Sequence, residues 1–165
     1  MAKSIATASG GLANQNLRNA LSKLQTAASD IVLNSAGLAI KGSSSALAKS
    51  ANAIVARVNG TLVKKAAGDM PALSGDNVAD GSSNVYVFTI DSSGNLKTTA
   101  GTAGTSVGAI TFPTIPDDEA VIGFILVENG TGSAFDPGTT ALDTSNLTVT
   151  YINTPYPFNP NAESL

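Results

Sequence analysis

The apolar positions of this chain recur at two different periods, and the change falls near residue 30. Between Leu12 and Ser29, the residues Leu17, Leu21 and Leu24 repeat at spacings of four and three, while Arg18, Lys23 and Gln25 point elsewhere. This predicts a short amphipathic helix with a narrow apolar stripe. Such a helix is marginal alone in water, so the stripe is expected to meet a second copy in preference to its own domain. Residues 1–11 are small and polar, and are expected to order only against a partner.

Beyond Asp30 the period shortens to two. Ile31–Leu33 and Leu38–Lys41 flank the turn residues Asn34-Ser35-Ala36-Gly37. Ile54–Val58 and Thr61–Val63 flank Asn59-Gly60, a pair suited to the positive φ angles of a two-residue hairpin. The faces of that hairpin are not cleanly apolar or polar, so the pattern does not say which is buried. After a loop over 66–84, Asn84–Asp91 alternates as a strand and turns through Ser92–Asn95 into Leu96–Thr99. Ala109–Phe112 is expected as a short strand closed by Pro113 and Pro116. Ala120–Val127 is the most apolar run and is predicted to be a central strand buried on both faces. Leu147–Asn153 is the last strand, and Pro155, Pro157 and Pro160 predict an extended tail.

Roughly eight short strands separated by turn signals argue for a mainly β fold, an antiparallel β-sandwich or jelly-roll-like domain. The expected division is an N-terminal arm with its short amphipathic helix (1–30) and a β domain with an extended tail (31–165). At 165 residues the chain suits one domain with an appendage.

Composition narrows the chemistry. The chain has no Cys and no His, which removes disulfides, thiolate nucleophiles, the commonest general base and the commonest transition-metal ligand. Only 13% of residues are charged, about half the usual share, so the surface is expected to be polar but uncharged, or covered by partners. No secretory signal and no membrane span are read from the sequence.

The charges are polarised. Eight of the nine basic residues (Lys3, Arg18, Lys23, Lys41, Lys49, Arg57, Lys64 and Lys65) lie in residues 1–65 against Asp30 alone, which leaves +7. Residues 66–165 carry the other eleven acids and only Lys97, which leaves −10. Such polarity points to assembly. Nucleic-acid binding is disfavoured because all eight aromatic residues lie in the acidic part, and the basic part therefore has no stacking platform. A basic arm gripping an acidic protein surface is the expectation.

The remaining motifs carry little chemistry. Ser43–Ser45 with Lys41 and Lys49 reads as a loop with solvated charges, not a Ser-Lys site. Asp117-Asp118-Glu119 is the only carboxylate cluster, and its place before a buried strand suits a loop cap or gatekeeper better than glycoside hydrolysis. Asp76–Gly81 begins like a calcium loop, but Val78 and Val87 occupy ligand positions. Gly101, Gly104 and Gly108 are wrongly spaced for a phosphate loop. Asn59, Asn129 and Asn146 each begin a glycosylation triplet, and read as turns or a strand start.

Several stretches carry a resemblance to a known class. They are Ala66–Gly75, Gly108–Pro116, Ile122-Gly123-Phe124 and Gly130–Asp143, and their motifs are compositional and turn-like. Over residues 35–155 the chain resembles small structural proteins of tailed-bacteriophage virions, of the capsid decoration (cement) or head-fibre kind. The resemblance implies a β-rich, often trimeric protein and carries over no active-site residues; no cofactor and no metal are expected. The expected function is decoration and stabilisation of a capsid by multivalent contacts, on the virion surface after synthesis in the host cytoplasm. The partners would be the major capsid protein or another virion protein and a homotrimer, with neither nucleic acid nor membrane. Candidate contact residues are Leu12, Leu17, Arg18, Leu21, Lys23 and Leu24 on the arm, and Arg57, Lys64 and Lys65 on a basic edge of the body. The alternative is a receptor- or glycan-binding module of a head fibre or tail tip, acting through loops 100–108 and 129–140.

Overall fold

The computed structural model describes residues 15–21 and 30–162. It is mainly β, with every strand pair antiparallel. Residues 15–21 are helical; Leu12, Lys23 and Leu24 lie outside the described residues. Ten strands follow among the described residues: β1 (Ile31–Val32), β2 (Leu38–Ile40), β3 (Ala48–Ser50), β4 (Ile54–Val58), β5 (Thr61–Lys65), β6 (Gly68–Asp69), β7 (Ser83–Asp91), β8 (Leu96–Ala100), β9 (Glu119–Asn129) and β10 (Leu147–Asn153).

The strands form three sheets, in the orders β1-β4-β5, β2-β3-β6 and β10-β9-β7-β8. The two small sheets cover one face of the four-stranded sheet. Val32, Leu38, Ala48, Ile54, Ala56, Val58 and Val63 pack there against Tyr86, Phe88, Ile90, Ile122, Ile125 and Val127. This is a sandwich-like arrangement. The opposite face of the large sheet, presenting Val85, Val87, Val121, Phe124 and Leu126, is covered by irregular chain carrying Ile110, Phe112 and Ile115. With both faces covered, β7 and β9 are buried along nearly their whole length. That matches the expectation for Ala120–Val127.

A bulge reconciles the two cores. Phe88 pairs with Gly123, but Thr89 pairs with Val121, so Ile122 is an extra residue on β9. Before the bulge, Ala120 and Ile122 face the small sheets; after it, Ile125 and Val127 do. Gly123 sits at the phase change with φ +157°, and a Cβ there would collide with the Ile152 carbonyl oxygen of β10. The Asn59-Gly60 hairpin is as expected, with φ of 48° and 78°.

One expected strand is corrected, and two further features are added. Ala109–Phe112 is not a strand: Val107–Ala109 is a 3-10 turn, and Thr111 makes only an isolated bridge with Thr102. The N–H groups of Ala109 and Ile110 close the turn by donating to the Ser106 and Val107 carbonyls, so they are not offered to a ladder. β3 and β6 were not foreseen, because strands of three and two residues are too short to show a period. The tail is packed onto the body: Phe158 packs on Phe112 and Phe124, and Asn161 clamps Ile115 through both its N–H and its carbonyl.

Candidate functional site

The functional candidates divide into helix residues, the β4–β5 hairpin and the acidic end of the large sheet. In the helix, Leu17 and Arg18 are exposed and Leu21 is partly buried. Leu17 and Leu21, four residues apart, share a helix face.

The hairpin positions its side chains by strict alternation. Ile54, Ala56 and Val58 point into the core with Val63, so Val55 and Arg57 must point outward. Cross-strand partners lie on the same face of a sheet. Arg57 is opposite both Ile31 and Leu62, which makes one outward row of Ile31, Arg57 and Leu62. Val55 is opposite Lys64, and Leu33 continues the ladder by donating its N–H to the Val55 carbonyl at 2.8 Å, which makes a second row of Leu33, Val55 and Lys64. The outer face of this sheet thus carries four apolar side chains and two cations. Leu62 is 69% exposed and Leu33 is 53% exposed, two of the four large apolar residues exposed among the described residues.

Of the three basic residues expected at this edge, Arg57 and Lys64 are brought together. Lys65 is also exposed but belongs to the other parity, opposite the inward-facing Ile54. The apolar half of the surface was missed. Leu33 and Leu62 are visible in the sequence, but nothing there says they face away from the core. The small Ala56 taking the inward position, with Val55 outside, defeats a reading based on side-chain size.

The acidic end lies where β7 turns into β8 and where β9 begins. Glu119 is the first residue of β9 and its side chain is only 4% exposed. One carboxylate oxygen accepts from the Thr89 hydroxyl at 2.6 Å, and the other meets the Lys97 ammonium at 2.5 Å. The hydrogen bond to Glu119 holds the Lys97 ammonium above the usual lysine range, with Asp91 and Asp118 adding to the field around it. Asp91 is held below the ordinary carboxylate range, chiefly by the Asn95 side-chain amide. Asp117 and Asp118 form an exposed turn after Pro116, as expected for a loop cap. Glu119 departs from the cluster because it enters the sheet and pairs with the one lysine available there.

The other motifs serve the fold. The buried Asn129 amide donates to the carbonyls of Val78, Ala79 and Ser133 and accepts from Asn146, so both asparagines organise the 129–146 loop. Asp80 accepts the Gly132 N–H at 2.7 Å. Among the described residues no group of three or more acidic side chains is arranged to hold a metal ion. No described helix is long and apolar enough to cross a membrane. Compared with known proteins, the chain matches no family model, no curated protein and no solved structure.

Proposed function

We propose that the chain is a non-enzymatic structural protein of a bacteriophage particle, decorating and stabilising the capsid by repeated protein–protein contacts. The observation that carries this reading is the outer face of the β1–β4–β5 sheet. It is regular, apolar at Leu33 and Leu62 and cationic at Arg57 and Lys64, on a body whose own core is complete without it. A surface of that kind suits association and supplies no reacting group. The N-terminal arm, with Leu12, Leu17, Leu21, Leu24, Arg18 and Lys23, is the anchor to the shell or to neighbouring copies. Each contact is weak, and the number of copies makes the sum large.

Mass spectrometry of intact particles tests the reading. Many copies per particle are expected. A handful would place the chain at a head fibre or tail tip, where a receptor or glycan is the natural partner. Complete absence from particles would overturn a virion role. Deleting residues 1–30 should abolish capsid binding, and retained binding would remove the arm from the account.

A further inference from the structure

We propose that the outer face of the β1–β4–β5 sheet docks, head to tail, onto the acidic end of the large sheet in a second copy of the chain. This deepens the structural-protein reading and rests on it for its setting, while its geometry stands on the two surfaces themselves.

The donor surface consists of the rows Ile31–Arg57–Leu62 and Leu33–Val55–Lys64. Each row sets apolar side chains beside one cation, and neither row contains a carboxylate. The acceptor surface has the opposite make-up. Asp91, Asp118 and Glu119 act on Lys97, the sole basic residue after Lys65, and Asp117 adjoins Asp118 in the same exposed turn. Lys97 is already engaged by Glu119, so Asp91, Asp117 and Asp118 make the surface anionic. Asp117 and Asp118 are exposed, and the exposed Pro116 beside them offers an apolar contact for Leu62. Both halves of a complementary pair are therefore present on one chain.

The chemistry selects this arrangement over others. A two-fold contact of the sheet face with itself would set Arg57 and Lys64 against their own copies with no acid between them, which is unfavourable. Nucleic acid would leave Leu33 and Leu62 without apolar cover, and the rows hold no aromatic to stack on a base. A head-to-tail contact repeats around an axis and closes into a ring when the rotation allows, which is one route to a trimer. Its strength should depend on salt, because the facing charges are near the surface.

Light scattering of the full chain, at low and high salt, tests the inference. The wild-type chain is expected to form a closed oligomer that weakens as salt rises. Arg57→Glu with Lys64→Glu should raise the dissociation constant about tenfold or more, and Asp117→Lys with Asp118→Lys should do the same. All four changes in one chain should restore association, since the signs are then exchanged. Leu62→Ser should weaken the oligomer with little change in its salt dependence. These positions are exposed, so the far-ultraviolet circular dichroism should be unaltered. If a charge reversal does disturb it, Arg57→Gln with Lys64→Gln takes its place with the same expected direction.

A wild-type chain that stays monomeric at its highest soluble concentration overturns the proposal. So does an oligomer indifferent to the reversals, or one that the fourfold exchange fails to restore. A monomer whose Arg57→Glu/Lys64→Glu variant loses incorporation into particles, or loses binding to a single-stranded DNA probe, assigns the face to a different partner and also overturns it. If the chain is missing from particles while the charge exchange behaves as expected, the virion reading fails and the docking stands.

Discussion

Glu119 is the residue at which burial and charge meet most sharply. Its carboxylate is held in the sheet by the Thr89 hydroxyl and the Lys97 ammonium. Lys97 is half-exposed while Glu119 is buried, so removing the lysine leaves the buried carboxylate without its cation, whereas replacing both with apolar groups does not. Lys97→Met should therefore lower the melting temperature, and Lys97→Met with Glu119→Leu should recover part of the loss in thermal denaturation. The sign of the pH effect follows from Lys97, whose folded value lies above its ordinary 10.5. The stabilisation is complete below that ordinary value and is lost as pH rises through the folded one. Asp91 works in the opposite sense: lowered below 3.8, it stabilises above that value and the contribution disappears as pH falls through the folded one.

Tyr86 presents the reverse problem. Its ring is fully buried edge-on to Phe135, and its hydroxyl has no hydrogen-bond partner. Burial pushes the phenol up to about 12, and the neighbouring Asn84 amide, short of hydrogen-bond geometry, offsets only part of the rise. Tyr86→Phe should stabilise the protein by about 1 kcal/mol, because a desolvated hydroxyl without a partner is removed. It should also flatten the loss of stability between the free phenol value of 10 and about 12, where the unfolded chain binds fewer protons than the folded one. Urea titrations at neutral and alkaline pH check both effects.

Among the elements, β9 decides the fold. It pairs with both β7 and β10, and its bulge lets one strand serve two cores in opposite phase. Gly123→Ala should cost about 3 kcal/mol, since the new methyl meets the backbone of β10 and cannot move away from it. The β4–β5 hairpin is more forgiving. Gly60 has φ +78° but no atom within 4 Å of where a Cβ would lie, so Gly60→Ala should cost only about 1 kcal/mol of backbone strain. Denaturant midpoints of the two variants should differ accordingly. Equal losses would remove the steric account of Gly123.

In the whole molecule, the hydrophobic cores found among the described residues lie within the body. The buried clusters begin at Val32, and Asp30 accepts the Asn59 N–H at 2.6 Å. A chain beginning at Asp30 should therefore melt as cooperatively as the full chain in circular dichroism, with a midpoint shifted by no more than a few degrees. A broad or missing transition would show that the arm contributes to the fold and does not serve association alone. The charge polarity belongs to this scale as well. Arg57 and Lys64 stand on one sheet, while Asp91, Asp117 and Asp118 stand at the end of another, so the sign change along the chain becomes a difference between two surfaces.

Much of this could be read in the chain itself. Period-two alternation located β7 and β10, Asn59-Gly60 located the β4–β5 hairpin, and the unbroken apolar run Ala120–Val127 marked a strand covered on both sides. These signals are local, because side-chain alternation and positive φ are properties of neighbouring residues. The absence of His and Cys likewise excluded whole classes of chemistry without any structure. Other features were invisible for an equally physical reason. β3 and β6 are too short to carry a period, and only their pairing with β2 and with each other creates them. The facing of the hairpin depends on which side the large sheet occupies, so Leu33 and Leu62 became surface residues only when Ile54, Ala56 and Val58 were claimed by the core. Glu119 is one of three adjacent acids in sequence, and only strand pairing separates it from Asp117 and Asp118 by bringing Lys97 and Thr89 to it. The sequence by itself determined the mainly β character, the turns and the available chemistry; the tertiary structure alone decided which faces are buried, because burial depends on residues that are distant along the chain.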